Sequence, residues 1–210
     1  MKALDGVAGS RRRLLFGGAA ACLLPAAPAR AGAQLEEPLA DAVRSALAAS
    51  VSDLAPPRPR FEQIDQRLTY LRWLGEASQR LRTRKSEHQT RVEFLETVWY
   101  ESRRAGLETQ LVLALIQVES GFRKYAISSA GARGYMQVMP FWTRAIGDGD
   151  ASRLFHLQTN LRFGCVILRH YLDVERGDLF MALGRYNGSR GRADYPNLVF
   201  GARRQWEIRA

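Results

Sequence analysis

The chain has 210 residues but only two cysteines, Cys22 and Cys165, and three histidines, His88, His156 and His170. Cys22 falls in the N-terminal leader described below, so Cys165 has no intramolecular partner and a disulfide-stapled fold is excluded. Leu161, Leu168 and Leu172 stand four, three and seven residues from Cys165, on one helical face, which predicts a buried small hydrophobe there. The histidines show no metal-ligand spacing, His170 reads as a surface pair with Asp173, and a single thiol cannot build a cluster, so no metal is expected. Gly131-Ala132-Arg133-Gly134 is neither followed by Gly-Lys-Ser/Thr nor preceded by a strand, which removes a phosphate loop or dinucleotide fingerprint and with it any expected cofactor. Alternating strand patterns, internal repeats and low-complexity tracts are also missing. One absence is local: from Ser120 to Gly147 there is no Asp or Glu.

What is plentiful is positive charge, +10 in all. Residues 1–33 hold Lys2, Arg11, Arg12, Arg13 and Arg30 against Asp5 alone, and without them 26 bases face 20 acids. This segment reads as a signal peptide: a basic start, an apolar run from Leu14 to Leu24 too short to span a bilayer, then Ala29-Arg30-Ala31 and Ala31-Gly32-Ala33 as cleavage sites. Ser10-Arg11-Arg12-Arg13-Leu14-Leu15 resembles a twin-arginine signal, so the expected address is the periplasm, with no transmembrane segment in the mature chain. Ala19-Ala20-Ala21 ahead of Cys22 lacks the leucine of a lipoprotein box, which argues against a lipid anchor. The arginines of the mature part are dispersed rather than striped, so nucleic acid is not the expected partner. An anionic wall polymer or membrane surface fits, as does a merely solvated basic surface.

The remaining sequence is helical in pattern. Leu35, Leu39, Val43, Leu47 and Leu54 suggest an amphipathic arm over 34–55, and Pro56-Pro57-Arg58-Pro59 then forms a linker, so that 34–59 is a docking element or mobile arm ahead of a domain over 60–210. Phe61, Ile64, Leu68, Leu71, Leu74 and Leu81 mark a helix to about Arg84. A second is capped by Ser86 and ends at Gly106, a third spans Glu108 to Glu119, and others run over Thr159–Glu175, Asp178–Tyr186 with Asp178 as cap, and Pro196–Ile208. The class is all or mainly α, with Gly-rich connections over 121–134 and 184–191 where sites tend to collect.

Glu119 ends a helix whose preceding residues Leu111 to Ile116 and Val118 are almost all apolar, so it should emerge at the floor of a cavity. Burial and the negative end of the helix dipole both raise its pKa, and a carboxyl kept protonated near neutral pH can act as the general acid of a glycosidase. The competing reading, a salt bridge to Arg123, suffers because Gly121 should break the helix between them. A two-carboxylate glycosidase needs a second acid. The nearest, Asp148 and Asp150, sit in what reads as an exposed turn, so one carboxyl acting twice is the simpler scheme.

Glu119-Ser120, Ser128, Gly131-Ala132, Gly134-Tyr135-Met136-Gln137-Val138-Met139-Pro140, Asn160-Leu161 with Gly164, and Tyr186-Asn187-Gly188 resemble, in order and spacing, the motifs of the soluble lytic transglycosylase catalytic domain, over core residues 107–189. The resemblance implies a lysozyme-like helical domain, close to goose-type lysozyme, here with an extra N-terminal helical arm. It implies cleavage of the β-1,4 bond between N-acetylmuramic acid and N-acetylglucosamine in peptidoglycan. Glu119 would protonate the glycosidic oxygen and then, as carboxylate, deprotonate the C6 hydroxyl that closes on C1 to a 1,6-anhydro sugar. Ser128, Gln137 and Met139 match residues lining the sugar cleft, although Met139 reads equally as ordinary core. Tyr186 matches a tyrosine whose hydroxyl sits beside the glutamate, and Asn187 shapes that loop. Ser120 and Asn160 are supporting residues. Tyr135 stands where leucine is common, which bears on the shape of the nearby subsite. A lysozyme-type hydrolase and a non-catalytic peptidoglycan-binding scaffold are the alternatives, and envelope assembly or secretion machinery is a possible partner.

Overall fold

The computed structural model describes residues 34–52, 59 and 61–208. The leader with Cys22, and Leu54 and Pro56-Pro57-Arg58 of the linker, lie outside the described residues. The elements are α1 Asp41–Ser52, α2 Ile64–Leu81, α3 His88–Arg104, α4 Thr109–Ser120, α5 Phe141–Ile146, a 3-10 turn over Ala151–Phe155, α6 Leu157–Val174, α7 Leu179–Asn187 and α8 Asp194–Arg204. Among the described residues extended pairing is confined to two isolated antiparallel bridges, Ile127 to Arg133 and Arg133 to Val138.

The core is built around α4, in which Val112 to Ile116 are wholly buried. A helix apolar on every side can be satisfied only by neighbours all round it, and α3 and α8 both pack on it. Helix α6 is the second inner helix, packed on α7, α3 and α1. Cys165 is buried on it, as its leucine neighbours predicted. Arg162 of α6 and Glu101 of α3 form a buried two-pronged ion pair, with nitrogen to oxygen distances of 2.8 and 3.2 Å. Each charge compensates the desolvation of the other and fixes the register of the two helices.

Several local expectations change. Helix α3 is capped by Glu87, not Ser86: its carboxylate accepts the amides of Gln89, at 2.7 Å, and Thr90. Helix α2 buries Tyr70, Ala77, Ser78 and Leu81, while Ile64, Leu68 and Leu71 are exposed. Two apolar stripes run side by side on this helix, and the aromatic one with Tyr70 is the one that turns inward. Helix α8 starts at Asp194, two residues ahead of Pro196, because a proline in the first turn has no helical amide bond to lose. Helix α5, six residues long, was too short to show a period. His170 packs on Trp142 and Tyr171, and it is Arg169 that pairs with Asp173, at 2.6 Å.

Among the described residues of the arm, Asp41–Ser52 is helical and Gln34 to Ala40 irregular. Leu39, Leu47, Ala48 and Val51 pack against the core, whereas Leu35 and Val43 face solvent.

Candidate active site

Gly121 takes a left-handed conformation, φ 58°, and ends α4 immediately after Glu119 and Ser120. The turn sends Arg123 back along the helix end, where its Nε donates to the Ser120 carbonyl at 2.9 Å rather than to Glu119. Ser120 is buried, and its hydroxyl donates to the Ile116 carbonyl at 3.2 Å, within the last turn of α4.

Glu119 is 5% exposed. The Tyr195 hydroxyl donates to its Oε1, and Oε2 is buried without a protein partner. Burial pushes the carboxyl up to about 8, with the Tyr195 hydrogen bond pulling the other way. Near neutral pH the group is therefore mostly protonated. With Oε1 occupied as an acceptor, the proton belongs on Oε2, an unengaged O–H donor.

Tyr195 lies one residue ahead of Pro196, where the sequence pattern starts the last helix, so that pattern does not mark it. A signal was present: Tyr195, Val199, Ala202 and Trp206 follow helical spacing and form the buried face of α8 and the turn after it, with one hydroxyl on an otherwise largely apolar stripe. Tyr186, expected to bring its hydroxyl to the glutamate, is wholly buried and donates instead to the Met136 carbonyl at 2.7 Å. It still lies near enough that the Glu119 charge, after burial, holds its phenol well above the ordinary range. Asn187 follows it at the end of α7, with Nδ2 donating to the Ser189 hydroxyl at 3.1 Å.

The segment from Ala126 to Met139 is held by side chains that brace backbone. Asn160 is fully buried. Its Oδ1 accepts the Met136 amide at 2.8 Å and its Nδ2 donates to the carbonyls of Arg133 and Leu154, each at 2.8 Å, which commits the whole amide to backbone. Gln137, at φ 48°, donates from Nε2 to the carbonyls of Ala126 at 3.1 Å and Gly134 at 2.9 Å. Ser128 Oγ accepts the Ala132 amide at 3.1 Å. In this conformation Ser128 and Gln137 are engaged with the loop itself, and Met139 is half-buried against the core. The Tyr135 ring lies 4.9 Å from Phe94, and its hydroxyl accepts from Lys85 at 2.7 Å, so the residue that departs from leucine ties the loop to the α2–α3 turn.

Asp148 and Asp150 are exposed and occupied with their own turn, Asp148 pairing with Arg153 and Asp150 accepting from Ser152. Both carboxyls are held below the usual range, chiefly by hydrogen bonds within that turn. The arrangement can thus supply one neutral, buried acid, with no second carboxylate among the described residues brought to it.

Replacing Tyr195 by Phe should lower any Glu119-dependent rate about tenfold, the scale of one hydrogen bond to a charged group. It should also move the alkaline limb of the pH profile upward, since the bond stabilises the carboxylate. A loss of rate with an unmoved limb would assign Tyr195 to packing alone.

The model of the family described as "Transglycosylase SLT domain" matches residues 96–207. A transglycosylase of Enterobacteria phage PRD1 is 31% identical over 104 residues, covering 50% of this chain and 38% of its own. A membrane-bound lytic murein transglycosylase C of Glaesserella parasuis is 45% identical over 107 residues, covering 48% of this chain and 26% of its own. The structure of an inactive mutant of lytic transglycosylase Slt from Pseudomonas aeruginosa aligns with 67% of this chain and 27% of its own, at 22% identity and a TM-score of 0.43. The chain spans well under half the length of these relatives. With the family model covering more than half of a mainly helical chain, this protein belongs to the transglycosylase SLT domain family.

Proposed function

We propose that the protein is a lytic transglycosylase that cleaves the β-1,4 bond between N-acetylmuramic acid and N-acetylglucosamine in peptidoglycan, with Glu119 as the only acid/base. The observation that carries the reading is the buried Glu119 carboxyl, pushed up to about 8, with its unengaged Oε2. Oε2–H donates to the glycosidic oxygen as the bond to C1 breaks. The resulting carboxylate, accepting from Tyr195, takes the proton of the muramoyl C6 hydroxyl as that oxygen closes on C1. The nucleophile belongs to the substrate, so neither a second carboxylate nor water is required, and Asp148 and Asp150 remain bystanders.

Asn160 and Tyr186 position the loop carrying Gln137 and Met139. Ser128, Gln137 and Met139 would meet the sugar once the loop's internal hydrogen bonds exchange for bonds to it. Asn187 shapes the turn at Gly188. Residues 60–210 serve as the catalytic domain, 34–59 as an appended arm and 1–33 as an export leader to the periplasm.

Incubation with purified peptidoglycan should release soluble muropeptides, and more slowly above about pH 8, where Glu119 loses its proton. Binding to the polymer with no soluble product at any pH would favour a non-catalytic scaffold.

A further inference from the structure

The irregular start of the arm does not lie on the outside of the domain. Gln34 is 4% exposed; its Nε2 donates to the Gln137 carbonyl at 3.5 Å, and its Oε1 accepts the Met139 amide at 3.3 Å. Its carboxamide also bears on the Tyr186 phenol, which in turn feels the Glu119 charge. One carboxamide thus spans a backbone acceptor and a backbone donor on the loop beside the candidate acid. A 2-acetamido group on a sugar carries the same pair, one N–H and one C=O on a single carbon.

The rest of the arm is held at the surface. Glu37 places both oxygens on Arg185 Nη1, at 2.6 and 2.7 Å, the residue directly before Tyr186, and Arg185 is shared with Glu175. Arg104 donates to the Ser50 carbonyl at 2.8 Å. Helix α1 nevertheless has no buried residue, and a cavity of about 370 Å³ remains between Glu36 to Leu39 and α5. A buried head on a poorly packed helix is the construction of a reversible contact. Glu119 itself is 5% exposed, and it does not line the cavities of about 370, 770 and 480 Å³ at the surface.

We propose that residues 34–39 are an intramolecular competitor, in which the Gln34 carboxamide occupies the position of a glycan acetamido group and must leave before an acetamido sugar can bind. This rests on the functional reading above. The arm then sets the apparent affinity: one docked about 70–90% of the time weakens glycan binding about three- to tenfold, by the fraction of molecules left open.

The test is calorimetric titration of the full chain with N-acetylchitotetraose, comparing wild type with Gln34→Ala and the double variant Gln34→Ala/Glu37→Gln. Amide hydrogen exchange over residues 34–40 is followed with and without the sugar. The expected result is binding about three- to tenfold tighter in the double variant, and exchange over 34–40 that accelerates in wild type when sugar is added. Weaker binding by the variants would make the arm a wall of the site and overturn the proposal. So would equal affinity with unchanged exchange, or no binding by any form. Failure here beside muropeptide release by the wild type removes the competitor alone. If no muropeptides are released but sugar still displaces the arm, the catalytic reading falls and the competitor stands.

Discussion

Glu119→Gln is expected to reduce muropeptide release from purified peptidoglycan by at least about 10³-fold, because in the proposed scheme one side chain serves as acid and then as base and the amide can do neither. Its fold should survive: glutamine matches the shape of a neutral carboxyl, keeps an oxygen for the Tyr195 hydroxyl and brings no charge. The pH dependence of stability separates this from damage to the site. Burial raises the carboxyl from 4.5 to about 8, so the folded wild type binds more protons than the unfolded chain between those values. Its Glu119 contribution is complete below pH 4.5 and is lost as pH rises through 8. At about 1.4 kcal/mol per pKa unit the loss is bounded at roughly 5 kcal/mol. Glu119→Gln carries no such penalty, so denaturation midpoints should nearly coincide at pH 5 and favour the variant at pH 9. Wild-type turnover by the variant would remove Glu119 from the chemistry. Coincident midpoints at both pH values would mean that the carboxyl is not held neutral.

Gly134→Ala should be the most damaging small substitution near the site, costing about 3–5 kcal/mol and lowering Tm by on the order of 10 °C. Two causes act together. The residue has φ 76°, a conformation that a side chain disfavours, and a Cβ there would overlap Asn160 Nδ2 and the Leu154 carbonyl. Asn160 cannot retreat, since each of its three hydrogen bonds goes to backbone in the same corner. Losing that brace also frees the Met136 amide, so activity should fall more steeply than stability alone explains. Thermal denaturation and muropeptide release measured on one preparation check both parts, and an unchanged Tm would contradict the steric account.

How far the sequence could be read depended on how local the cause was. The apolar run of α4 and Gly121 after it are local facts, and they placed Glu119 at a buried helix end with a raised pKa before any fold was known. The position of Asn160 in an ordered set of motifs likewise pointed to support. Tyr195 escaped because its importance lies in the packing of α8 on α4, a contact over 76 residues that no spacing rule reports. Which side of α2 turns inward is not legible, because two apolar stripes compete and the aromatic partners Phe61 and Trp99 around Tyr70 decide between them. The arm was legible as an amphipathic segment. That its first polar residue reaches the loop at Gln137 and Met139 was not, since helical periodicity says nothing about an irregular stretch.

The central claim is that one carboxyl suffices because the substrate supplies the nucleophile. Mass spectrometry of the muropeptides released by the wild type tests it directly. The account predicts 1,6-anhydro-muramoyl ends, one water lighter than the hydrolysis product; reducing ends would contradict it and make the protein a hydrolase.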